Sequence, residues 1–210
     1  MTSTERAVEV VKILRKFRLN AKSELIHKNP LEFMVAVILS AQATDKGVNK
    51  VTPTLFSKFK TSSNYANASV DEISQYIKSI NYYKTKAKRI KNASEFLVKN
   101  FSGKVPKHVS DLIKIPGIAR KSANVISQEV FNVVEGIVVD THVTRVSKLL
   151  GFTKNKDAVK IEKDLMSILP REYWKDYGMQ IVLHGRYVCT AKNPKCPICP
   201  INYLCPSAKL

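Results

Sequence analysis

The sequence predicts an all-α protein, and three observations carry that prediction. Apolar residues recur at helical spacing along nearly the whole chain, only 7 of its 210 residues are glycine, and capping patterns open a new helix roughly every 15–20 residues. A chain of this length buries a core without covalent staples. It contains no low-complexity linker and no obvious repeat, so any second domain is expected to pack closely on the first.

Taken in order, MTSTERAVEVVKILRKF places charges inside its apolar stretch, which reads as neither a signal peptide nor a membrane span and implies a soluble, cytoplasmic protein. Asn29-Pro30 supplies an N-cap and a proline at the first helical position. The LEFMVAVIL that follows is apolar on all sides and is expected to be the buried centre of a domain. Gln42 sits at a corner after that helix, and Thr44-Asp45 read as the cap of the next one. Ser69-Val70-Asp71-Glu72 is a capping box ahead of Ile73, Tyr76, Ile77 and Ile80, in a helix expected to end at Asn81-Tyr82-Tyr83. Thr85 is expected to cap a further helix that buries Ala87, Ile90, Ala93, Phe96 and Leu97.

LIKIPGIARKSANVI (112–126) reads as an apolar helix end, a tight turn of Pro116-Gly117-Ile118-Ala119, and a second helix beginning near Arg120. GIVVDTHV (136–143) is β-branched enough for a short strand. Asp140, however, stands where an N-cap belongs, Val143, Val146, Leu149 and Leu150 share a helical face, and Gly151 ends it. An extended link followed by a helix is the expectation.

The charge narrows the function. With 35 Lys plus Arg against 17 Asp plus Glu, the formal net charge of +18 is too lopsided for an ordinary enzyme of small metabolites. A polyanion is the expected partner, and charge alone fits either nucleic acid or an anionic membrane surface.

Three groups of residues carry chemistry. The turn at 116–119 points backbone N–H groups one way, with the positive end of a helix behind them, a geometry that grips phosphate without reading bases. Lys121 falls in the first turn of that helix. An amine must be neutral to attack, and free lysine titrates near about 10.4. The helix end and the neighbouring Arg120 lower the cost of losing its proton. Asp140, as a capping carboxylate, is oriented by backbone N–H groups, stays ionised, and can face a developing positive charge.

The third group is Cys189, Cys196, Cys199 and Cys205, spaced C-x6-C-x2-C-x5-C, with no cysteine elsewhere in the chain. A disulfide-stapled secreted protein spreads its bridges through the fold, so metal ligation is preferred. Spacing alone leaves zinc and an iron–sulfur cluster both open.

Together these motifs resemble endonuclease III, the bifunctional pyrimidine glycosylases of the helix-hairpin-helix superfamily of base-excision repair enzymes. The likeness runs through LSAQATD (39–45), IPGIARKSAN (115–124), VDTHVTRV (139–146) and LHGRYVC (183–189) into the cysteine cluster. It implies a two-domain all-α fold with a deep interdomain cleft. A six-helix domain would span residues 22–133, and residues 1–21 plus 134–210 would form an iron–sulfur domain whose four cysteines hold a [4Fe–4S] cluster.

The resemblance further implies that Lys121 is the nucleophile and that Asp140 assists it. Gln42 would fill the space left by a flipped base, and Tyr82 would take the place of an apolar wedge. The expected DNA contacts also include Asp45, Pro116, Gly117, Ile118, Ala119, Arg120, Arg186, Lys192 and Lys195. Ala119 departs from the family, standing where a second glycine is usual; a left-handed backbone there would be strained by a Cβ. Tyr82 departs too, where leucine is common.

The expected activity is excision of oxidised pyrimidines and cleavage of the strand 3′ to the abasic site, on double-stranded DNA, by a prokaryotic, nucleoid-associated monomer. One alternative is a mismatch-specific uracil/thymine or adenine glycosylase of the same fold, although such enzymes generally lack the lysine. The other is a non-catalytic DNA-binding module.

Overall fold

The computed structural model describes residues 1–17 and 23–209, and among these residues no β-strand is present. Residue contacts divide the chain into two compact units, Ser23–Val133 and the flanking segments Met1–Lys22 with Val134–Leu210. The expected boundary between residues 21 and 22 lies outside the described residues. In chain order, α1 (Ser3–Phe17) belongs to the flanking unit. The central unit carries α2 (Pro30–Ser40), α3 (Asp45–Lys58), α4 (Ser62–Asn67), α5 (Val70–Tyr76), α6 (Tyr83–Phe101), α7 (Val109–Leu112) and α8 (Arg120–Val130). The flanking unit continues with α9 (Thr141–Leu149), α10 (Ala158–Ile168) and α11 (Trp174–Tyr187). Among the described residues no helix is long and apolar enough to cross a membrane.

The central unit is built around α2. The Asn29 side chain accepts from the Glu32 N–H at 2.9 Å, Pro30 fixes the first φ, and Phe33, Met34, Val35, Ala36 and Leu39 are fully buried. Thr44 caps α3 through the Gly47 N–H, and Ser69 caps α5 through the Glu72 N–H. A reciprocal capping box occurs instead at α4, between Thr61 and Asn64. Helix α5 stops at Tyr76, so Ile80 reaches the core from the loop beyond it.

Helix α6 starts earlier than expected. Tyr82 precedes the helix rather than ending one, and Thr85 lies inside its first turn. The reason is the backbone of Tyr82, at φ 58° and ψ 32°, which turns the chain directly into the helix so that the Lys86 N–H closes on Tyr82 O at 3.0 Å. Along α6, Ala87, Ile90, Ala93 and Leu97 are fully buried, whereas Phe96 is half-buried against Phe101. Each large aliphatic on that face contributes roughly 1.5–3 kcal/mol on burial.

In the flanking unit, Ala7, Val10, Val11 and Leu14 of α1 share one core with Val143 and Val146 of α9, Ile161 and Leu165 of α10, and Tyr177 and Ile181 of α11. Residues 137–140 form a link outside any helix or strand, with Ile137 and Val139 buried and Asp140 extended, and Gly151, at φ +71°, follows the C-cap of α9. Helices α9 and α11 approach so closely that a Cβ at Gly185 would lie 2.9 Å from His142 Cβ. Arg6 ties α1 to the end of the chain: its guanidinium donates to Leu150 O and Leu204 O and lies 4.6 Å from the Phe152 ring centroid.

Candidate functional site

In the central unit the hairpin runs from α7 through a turn into α8. The Ile118 N–H closes the turn on Ile115 O at 3.1 Å and the Ile118 side chain is buried, while Pro116 has no N–H to offer. Of the expected hairpin contacts, Pro116 and Ile118 therefore have no backbone N–H on offer, and the N–H groups of Gly117, Ala119 and the first turn of α8 remain the candidates. Gly117 supplies the positive φ of +87°, with the stem of Arg89 packed 3.5 Å from where its Cβ would be. Ala119 is at φ −83° and ψ 165°, an extended conformation open to any residue, so the missing second glycine introduces no strain. As the N-cap of α8, Ala119 has no side-chain acceptor for the first-turn N–H groups, which leaves that helix end suited to an external anion. Lys121 is the second residue of α8 and is exposed, with Arg120 exposed beside it.

Gln42 and Tyr82 share an unusual backbone. Both are left-handed, with φ of 53° and 58°, and both side chains are exposed, Tyr82 to 67%. For residues with a Cβ this conformation costs about 1–2 kcal/mol each, and such strain persists where surrounding structure holds it. Asp45 opens α3, where a carboxylate complements the positive helix end.

In the flanking unit Asp140 is the N-cap of α9. Its Oδ1 accepts from the His142 N–H at 2.8 Å and the Val143 N–H at 2.9 Å. The carboxylate is thus oriented by the helix it starts, with both contacts on Oδ1. Lys121 lies in one compact unit and Asp140 in the other.

The four cysteines follow α11. The Cys189 N–H closes on His184 O, the Cys199 N–H on Cys196 O and the Cys205 N–H on Asn202 O, so each of these thiols is placed by a local turn. No disulfide joins them. All four line one cavity of about 280 Å³ together with Arg145 and His184. Among the described residues no three His, Cys, Asp or Glu side chains are placed to hold a single metal ion. Sulfurs spread around one cavity suit a multi-iron group with four corners better than tetrahedral zinc.

Arg145 donates to Cys189 O and Gly185 O and lies 3.7 Å from Cys189 Sγ, while His184 Nε2 is 3.6 Å from Cys199 Sγ. Burial pushes the Cys189 thiol up, with the Arg145 charge pulling against it, and burial likewise raises Cys199. With a cluster bound, Arg145 at the wall would offset the negative charge of its thiolate ligands. Arg186, Lys192 and Lys195 are exposed on and beside the loop between the first two cysteines.

Sequence reasoning passed over two residues. Arg145 reaches the cluster loop across 44 positions of chain, a tertiary contact without a local signature. Lys86 is only 2% exposed, and burial, then the Arg89 charge, push its amine below the ordinary lysine range. Its signal was available: it lies four residues before Ile90, on the face that continues through Ala93 and Leu97.

The family described as "HhH-GPD superfamily base excision DNA repair protein" matches residues 35–171, and "Iron-sulfur binding domain of endonuclease III" matches residues 189–205. Fold and site thus define a helix-hairpin-helix base excision repair protein with an iron–sulfur loop. The chain is 42% identical to Endonuclease III of Synechocystis sp. over 205 residues, covering 98% of this chain and 94% of that protein. It is 46% identical to Endonuclease III of Bacillus subtilis over 187 residues, covering 89% of this chain and 85% of that protein. Its structure resembles a trapped endonuclease III–DNA covalent intermediate, the estranged-adenine complex, with a TM-score of 0.92, 40% identity, and coverage of 99% of this chain and 98% of that one. The chain belongs to the endonuclease III family. Its cofactor is the [4Fe–4S] cluster of that family, which the four-thiol cavity fits.

Proposed function

We propose that the protein is a bifunctional DNA glycosylase and abasic-site lyase of base excision repair, acting as a monomer on oxidised pyrimidines in double-stranded DNA in a prokaryotic cytoplasm. The observation that carries the reading is Lys121: an exposed amine in the first turn of α8, directly after the tight turn of residues 116–119. The chain around it is 40% identical to a protein trapped covalently on DNA.

Gly117, Ala119 and Arg120 hold one stretch of backbone phosphate, and Arg186, Lys192 and Lys195 hold another; contacts of this kind raise affinity for any sequence. Gln42 and Tyr82 enter the base stack, with Asp45 fixing the start of α3 beside Gln42, and the damaged nucleotide swings out because its C1′ is unreachable inside the duplex. Lys121 Nζ attacks C1′ through its lone pair, the C1′–N bond breaks, and the base departs with the bonding electrons and takes up a proton. The Asp140 carboxylate faces the positive charge that develops on the sugar and accepts the proton that the lysine nitrogen gives up. Opening of the sugar ring yields a Schiff base. Loss of a proton from C2′ then expels the 3′ phosphate by breaking C3′–O3′, and water releases Lys121. The bound cluster supplies iron–thiolate cross-links that stiffen the loop carrying Lys192 and Lys195.

Borohydride reduces a Schiff base to a stable amine. Incubated with abasic duplex DNA and borohydride, the protein should yield a covalent complex that Lys121→Ala does not. Absence of the complex in the unmodified protein, with DNA binding intact, would overturn the lyase reading in favour of a non-catalytic binding module.

A further inference from the structure

The last carbonyls of α2 lead straight into the Gln42 corner, and that helix has no basic residue in its own last turn. Lys86 supplies the missing cation from α6. Its buried Nζ donates to Leu39 O at 2.8 Å, satisfying one orphan carbonyl and complementing the negative end of α2. Its backbone N–H donates to Tyr82 O at 3.0 Å. One residue therefore holds the end of the helix before Gln42 with its side chain and the left-handed Tyr82 with its main chain. Ser40 takes up two more groups at the same corner: its Oγ donates to Val37 O, and its O accepts from the Ala43 N–H. Asn81, beside Tyr82, adds a longer contact, its Nδ2 donating to Gln42 O at 3.5 Å.

We propose that Lys86 is a positioning residue that joins Gln42 and Tyr82 into one preformed wedge, so that opening of the duplex, and not the chemistry at C1′, depends on it. The proposal rests on the reading of Gln42 and Tyr82 as residues that enter the stack. Holding both turns before DNA arrives removes the ordering cost that two independent loops would meet on binding.

The test compares excision from a thymine glycol duplex carrying 2-aminopurine beside the lesion with β-elimination on a single-stranded abasic oligonucleotide, which needs no opening. Lys86→Met should slow both the 2-aminopurine signal and duplex excision about 10-fold, while single-strand cleavage stays within about twofold. Lys86→Gln, which keeps a donor at shorter reach, should fall between, and thermal melting sets the folded fraction to which rates are normalised. In a Gln42→Ala/Tyr82→Ala background, adding Lys86→Met should change duplex excision by less than about twofold, because no wedge is left to position. Equal losses on both substrates, or additive losses in that background, would overturn the proposal and leave the wedge reading standing. If Gln42→Ala and Tyr82→Ala themselves spare duplex excision, the wedge reading fails and the proposal fails with it.

Discussion

Asp140 has two duties, which can be separated by substitution. As N-cap of α9 it receives two backbone N–H groups on Oδ1, and in the proposed mechanism its carboxylate faces the sugar. Asp140→Ala removes both duties. Loss of an N-cap side chain costs about 0.5–2 kcal/mol, which for a chain of this size lowers the melting temperature by roughly 1–8 °C. Asp140→Asn retains a capping oxygen and forfeits only the favourable charge at the helix end, about 0.3–1 kcal/mol. Catalysis sorts the variants differently. Without a negative charge both should lose on the order of 100-fold in single-turnover base release, the scale of one preorganised electrostatic partner. Calorimetry, single-turnover excision and DNA-binding titrations are read side by side. Near-normal excision by Asp140→Asn would refute the catalytic assignment, as would DNA affinity falling in step with rate.

The other predictions concern the loop, the backbone contacts and pH. Cys199→Ala should be colourless, with iron content near zero and a lower melting temperature of the flanking unit; a coloured variant with full iron would show that three thiols suffice. Lys192→Ala should weaken binding equally across DNA sequences and reduce the slope of log affinity against log salt by about 1, and an unchanged slope would remove Lys192 from the interface. Burial pushes the hydroxyls of Tyr65 and Tyr177 above the ordinary tyrosine range, with the Ser147 hydrogen bond opposing this at Tyr177. The folded chain keeps those protons where the unfolded chain, titrating near about 10, has lost them. Stability is therefore full below that pH and falls as pH rises beyond it. Tyr177→Phe should reduce the alkaline slope of stability by up to one proton, and an identical slope would contradict burial as its cause.

What the sequence disclosed about this fold was local. Asn29-Pro30, Thr44, Ser69 and Asp140 are caps whose partners lie two or three residues away, and seven of the nine residues of LEFMVAVIL, Phe33 to Leu39, are buried in the structure as the pattern requires. The same logic misplaced the start of α6, because a cap hydroxyl at Thr85 is a visible signal and a left-handed tyrosine is not. Nothing in the letters marks Gln42 or Tyr82 as left-handed, since residues with a Cβ reach that region only under tertiary constraint. Ala119 shows the converse error: a motif suggested strain at a position whose backbone is ordinary, while the positive φ sits at Gly117. Within the hairpin, spacing alone did not mark the Ile118 N–H as the one that closes the turn.

The central claim is that one lysine among many performs the attack. It is tested most directly by digesting the borohydride-trapped protein–DNA complex and mapping the modified peptide by mass spectrometry. The account predicts that the deoxyribose remnant lies on Lys121 alone, in the peptide that follows Arg120. A remnant on Lys86, Lys114 or the N-terminal amine, with Lys121 unmodified, would contradict it.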